Sequence, residues 1–167
     1  MKFRRGFVAA VLVAGVGSGM VACSSSDSDS NTASTPAADT PSIVPAGELC
    51  GALDAKALSG AVGTAIVVSQ ADAGRCQIGS STEPTNGFVA YVSTTDSVAR
   101  YMQLAVKDTT ATPVAGLPNS GAAFDGHSAW AAVSVKGGLL TVSLTGTSVT
   151  AETAGATLKT AFDTVKR

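Results

Sequence analysis

The stretch from Ser128 to Thr145 constrains the fold of this chain more than any other. Ala129, Ala131, Val133 and Val135 alternate with Trp130, Ala132 and Ser134, the period of a strand. Lys136-Gly137-Gly138 then breaks the run tightly. Beyond it Leu140, Val142 and Leu144 face one way and Thr141, Ser143 and Thr145 the other. Two such runs joined by so short a glycine turn can only lie side by side and antiparallel, because a parallel crossover needs a dozen residues or more. A sheet built on this hairpin is therefore antiparallel.

Other segments supply its partners. Asp54 is placed to cap a short helix over Ala55 to Val62, with Leu58, Ala61 and Val62 on its buried face and Gly63 as its stop. Ala65 to Val68 is a β-branched strand candidate whose pairing is open. Arg75 to Ser80 is a second, setting Cys76 and Ile78 against Arg75 and Gln77. Asn86-Gly87 signals a hairpin turn ahead of a central strand over Phe88 to Ser93, apolar on both faces. Asp96 is expected to cap a helix with the stripe Val98, Tyr101, Met102, Ala105. Thr109 to Ser120 reads as a loop. The last helix spans Ala151 to Val165, with Ala154, Leu158, Ala161, Phe162 and Val165 inward and Ser148 or Thr150 as its cap. The expected fold is α+β: an antiparallel sheet of four to five strands with helices on one face, in the order α-β-β-β-α-β-β-α.

All these elements fall between Glu48 and Arg167, expected to form one domain. The segment before it has a different character. Lys2, Arg4 and Arg5 precede an apolar run from Gly6 to Ala22, and Met20-Val21-Ala22-Cys23 looks like a bacterial lipobox. Residues 1–22 are read as a lipoprotein signal peptide and Cys23 as the acylated N-terminus of the mature chain. A retained membrane helix is the competing reading, weakened by the glycines at 6, 15, 17 and 19. Arg4-Arg5 is compatible with twin-arginine or general export. Residues 23–47 are rich in Ser, Asp, Thr, Ala and Pro, too polar to offset their ordering entropy, and are expected to be a disordered tether reaching ~25–30 Å. The expected location is outside the cytoplasm, on the outer face of the cytoplasmic membrane or the cell surface.

Charge narrows the partners. Loss of Lys2, Arg4 and Arg5 takes the formal side-chain charge from −1 to −4. No basic stripe remains for nucleic acid or anionic headgroups. Membrane attachment then rests on the acyl anchor, at about 0.8 kcal/mol per buried methylene.

With Cys23 acylated, Cys50 and Cys76 are left as an even pair in an oxidising compartment, and a disulfide between them is the simplest reading. A loop of this length makes it worth roughly 3–4 kcal/mol on the chain-entropy account. A zinc site needs more ligands, and His127 is the single histidine. Neither metal nor cofactor is expected. Asp125 and His127 can share a strand face, and serines are plentiful, but there is no Gly-x-Ser-x-Gly elbow and no phosphate-binding loop in the domain. The 12 carboxylates are scattered. No catalytic residue is assigned.

The candidates for binding are apolar. Trp130 has only small neighbours on its face, Ala132 and Ser134, which leaves room for a groove; core packing is the alternative. Val114, Leu117 and Pro118 interrupt a polar loop. They either tuck beneath it or form a partner patch, and the region from Val114 to Trp130 is where partner binding is expected.

Leu49-Cys50-x-x-Leu53-Asp54, a short helix closing at Val62-Gly63, and Gly74-Arg75-Cys76-Gln77 resemble the small lipoproteins of unknown function common in mycobacteria and related actinobacteria. Val114-Ala115-Gly116-Leu117 and Ala122-Ala123-Phe124 are similar to the family's central region, and Leu158 fits its terminal helix. Many members carry an aromatic residue two positions after the second cysteine; this chain has Ile78. The resemblance implies a disulfide-stapled envelope domain and no established activity. The function expected on these grounds is that of a non-enzymatic module binding an envelope protein or polymer. The alternative is a carrier of an apolar or lipid ligand between sheet and helices.

Overall fold

The structure, a computed structural model, describes residues 39–80, 86–107 and 109–167. They belong to the second of two units in the chain, Pro36–Arg167. The signal, Cys23 and most of the tether lie outside the described residues. The fold is mixed helix and strand around one antiparallel sheet. Its strands are β1 (Ile66–Asp72), β2 (Arg75–Ser80), β3 (Asn86–Ser93), β4 (Ser120–Phe124), β5 (Ser128–Val135) and β6 (Gly138–Thr145), in spatial order β1-β2-β3-β6-β5-β4. The helices are α1 (Leu49–Ala52), α2 (Ala55–Val62), α3 (Val98–Ala105) and α4 (Ala151–Val165), with a short 3₁₀ turn at Ala46–Glu48.

The β5–β6 hairpin lies inside the sheet, flanked by β4 on one side and β3 on the other. Val135 pairs with Gly138 across the two-residue turn Lys136-Gly137, and Gly137 takes φ +82°, a conformation in which a Cβ would be strained. The Tyr91 hydroxyl donates to the Gly137 carbonyl at 2.9 Å and ties that turn to β3. The inward residues Leu140, Val142 and Leu144 are fully buried, each worth about 1.5–3 kcal/mol.

Local capping follows the residue chemistry. The Asp54 carboxylate accepts from Lys56 N and Ala57 N, and Gly63 closes α2 at φ +81°. Thr150 caps α4 by accepting from Thr153 N. The cap of α3 is Ser97, not Asp96: the Ser97 hydroxyl accepts from Arg100 N, and Asp96 lies one residue outside.

Four further expectations are corrected. The sheet has six strands rather than four to five, so the order gains a strand before the hairpin. That strand, β4, is Ser-Gly-Ala-Ala-Phe, which carries none of the β-branched residues that mark strands. Its residues are small because helices press on both sides. Ala122 joins the core with α4, Ala123 packs beneath α3, and a Cβ at Gly121 would come within 3.3 Å of Ala111 and 3.4 Å of Val98. Second, the helices occupy both faces. α4 lies across β4, β5 and β6 with α2 beside it, against Ala129, Ala131 and Val133. Met102 and Val106, from α3 and its C-terminal end, pack on Ala123 and Ala132 of the opposite face. Third, Asn86-Gly87 opens β3 instead of turning: Gly87 pairs with Ile78 on one side and Leu144 on the other, where a Cβ would run into the Ser143 carbonyl oxygen. The β2–β3 connection falls in 81–85, outside the described residues. Fourth, the packed domain begins before Glu48. Val44 N donates to Val165 O, Arg167 N donates to Ser42 O, and Ile43 and Val44 pack on the core.

Candidate functional site

Cys50, in α1, is joined to Cys76, in β2, by a disulfide across a separation of 26 residues. Cys76 is fully buried in the core, so the bond fixes the N-terminal helix pair to the sheet.

The binding candidates separate in space. Leu117 is 6 % exposed and belongs to the core, so of its two readings it tucks beneath the loop, and its placement in the partner patch is corrected. The Ser120 hydroxyl donates to the Leu117 carbonyl at 2.6 Å and folds the loop down. Pro118 is exposed beside it. Val114 is half-buried, leans on Gly155 of α4, and lines an apolar groove of about 550 Å³ with Ala122, Ala151 and Ala156. The region from Val114 to Trp130, the expected place of partner binding, is thus a loop, a strand, a three-residue turn and the start of β5.

That turn holds His127. Asp125 Oδ1 accepts from His127 N at 2.8 Å and Ser128 N at 2.7 Å, and these backbone bonds hold its carboxyl below the ordinary value of 3.8. His127 is exposed, and Asp125 is engaged with the backbone. Among the described residues no three His, Cys, Asp or Glu side chains gather within reach of one metal ion.

Trp130 sits elsewhere, on the sheet face opposite α4. α3 covers β4 and β5 there, and its Tyr101 reaches Thr141 of β6. The uncovered part is an open groove of about 540 Å³. Trp130 and Tyr101 line it on the α3 side, Phe88 and Ser143 across β3 and β6, and Arg75 on β2. Arg75 pairs with Ala90 and is thus the diagonal neighbour of Phe88, over whose ring its guanidinium lies at 3.8 Å from the centroid. Burial raises the Tyr101 phenol above its ordinary value of 10.0, partly countered by its hydrogen bond with Thr141.

Two electrostatic features mark the groove. Among the described residues that line it there is no Asp or Glu, and Arg75 is their one charged member. Trp130 Nε1 is buried with no hydrogen-bond partner, the single such side-chain atom among the described residues. Sequence reasoning reached Trp130 and the space beside it. It missed Arg75, Phe88, Tyr101 and Ser143, which lie on four different elements and meet only through the β2–β3–β6 register and the packing of α3 on that face. The one sequence signal was that Arg75, Phe88, Ser143 and Trp130 all fall on the same alternating face of their strands. Comparison of this chain with models of protein families, with curated proteins and with solved structures finds no match.

Proposed function

We propose that this chain is an exported envelope lipoprotein, one of the small actinobacterial lipoproteins it resembles, anchored through acylated Cys23. Its domain acts as a non-enzymatic binding module with the Trp130 groove as its binding surface. The observation that carries this reading is the groove itself: a half-covered sheet face with an aromatic wall, one cation and a buried indole N–H lacking an acceptor. Unpaired buried donors are rare in folded proteins, and grooves with a few convergent polar groups are where ligands settle. His127 has no catalytic part in this reading.

The test is site-specific crosslinking. A photoreactive side chain at Thr145, on the groove, should trap a partner in envelope membranes, and one at Lys56, on exposed α2, should not. Equal trapping at both positions would remove the groove from the reading. The anchor is tested separately: Cys23→Ala should release the protein from the membrane fraction.

The apolar groove under Val114 supports a second reading, a carrier of an apolar ligand. Organic extraction of the purified protein followed by mass spectrometry would then recover a stoichiometric lipid.

A further inference from the structure

The donors and acceptors around the Trp130 groove are out of balance. The Arg75 guanidinium makes no ion pair with a described residue; its one contact of note is the Phe88 ring. Among the described residues the half-buried Ser143 hydroxyl makes no hydrogen bond to another protein group, and Trp130 Nε1 is buried without one. Two accessible donors, on Arg75 and Ser143, thus meet described lining residues that include no carboxylate, while Trp130 Nε1 lies buried behind the groove surface. A ligand completing this site brings oxygen acceptors and one negative charge.

Several ligand classes fail that description. An alkyl chain would leave Arg75 and Ser143 facing hydrocarbon and supply no acceptor. A polyphosphate or nucleic acid needs several cations, and the groove offers one. A single carboxylate matches a single guanidinium in the bidentate geometry, and stacking on Phe88 holds the guanidinium plane in advance. The remaining surface, with aromatic rings beside hydroxyls, suits a ring with an apolar C–H face and hydroxyl edges. The groove is an open trough, so a bound unit can remain part of a longer chain.

We propose that the groove binds an acidic sugar, a pyranose ring carrying one carboxylate, as a unit of an envelope polysaccharide. The carboxylate pairs with Arg75, the ring lies towards Trp130, and a ring or hydroxyl oxygen accepts from Ser143. This rests on the groove being the binding surface.

Trp130 is the single tryptophan of the chain, so its fluorescence reports on the groove without a label. The full chain in detergent micelles is titrated with an oligogalacturonate and with the methyl ester of the same oligosaccharide, which keeps the rings and removes the charge. The acid should change the Trp130 emission saturably, and the ester should bind at least about tenfold more weakly. Arg75→Gln should weaken acid binding by about tenfold at unchanged melting temperature, with partial recovery in Arg75→Lys. Equal binding of acid and ester, or an Arg75→Gln variant indistinguishable from the parent, overturns the acidic-sugar assignment. So does silence towards both probes. Acrylamide quenching then separates the two readings: protection of Trp130 by an envelope extract keeps the groove as the binding surface, and no protection removes it as well.

Discussion

Leu117 carries the clearest consequence of a single side chain. It is buried beneath its loop, and the loop is held down by Ser120. Leu117→Asp would place an unpaired charge in the core, a cost the chain avoids by unfolding. The variant should lose its cooperative transition by circular dichroism, whereas Pro118→Ala should keep it. Asp125 gives a prediction in pH. Its carboxyl is held below 3.8 by backbone N–H donors, so its support for the β4–β5 turn is present above that value and is lost as pH falls through the lowered one. Amide exchange at Ser128 should quicken over that acidic interval in the parent, and Asp125→Ala should show no such step.

At the scale of elements, β3 and β6 meet with no room to spare at Gly87. Gly87→Ala drives a Cβ into the Ser143 carbonyl, at an expected loss of about 1–3 kcal/mol read from urea denaturation. The same pair shows what the sequence makes legible. β2, β5, α2 and α4 stand where periodicity puts them, because each has one face in the core and a polar or capped boundary. β4 was illegible, since a strand pressed between helices needs small residues on both faces and so loses its alternation. The side of the sheet taken by α3 was illegible too. Its stripe of Val98, Tyr101, Met102 and Ala105 specifies a buried face and says nothing about which sheet face buries it. The groove inherits that ambiguity, because it lies beside α3 on whichever sheet face α3 takes. Asn86-Gly87 misled for a related reason: the glycine answers to a neighbouring backbone across the sheet and not to a local turn.

Across the whole molecule, the disulfide joins segments that the sheet alone holds loosely. Cys50 lies on a helix of four residues, too short to be stable by itself, and Cys76 lies in the core. Cys76→Ser should cost roughly 2–5 kcal/mol by urea denaturation. The N-terminal segment that leads into the domain is secured at a second point, by the paired backbone of Ser42 to Val44 and Val165 to Arg167. Those contacts bring the two ends of the domain together, with Arg167 N at 2.9 Å from the Ser42 carbonyl oxygen. The domain is, in effect, a ring of chain interrupted at one place, and the interruption can be moved. A circular permutant that joins Arg167 to Ser42 through a short glycine linker and opens at Gly126, in the exposed β4–β5 turn, should fold to the same sheet and keep the Cys50–Cys76 bond. Its far-ultraviolet spectrum and thiol count would show this directly. It would also carry new ends at the opposite side of β5 from the old ones, so a surface tether could be attached there and the groove presented in a reversed orientation.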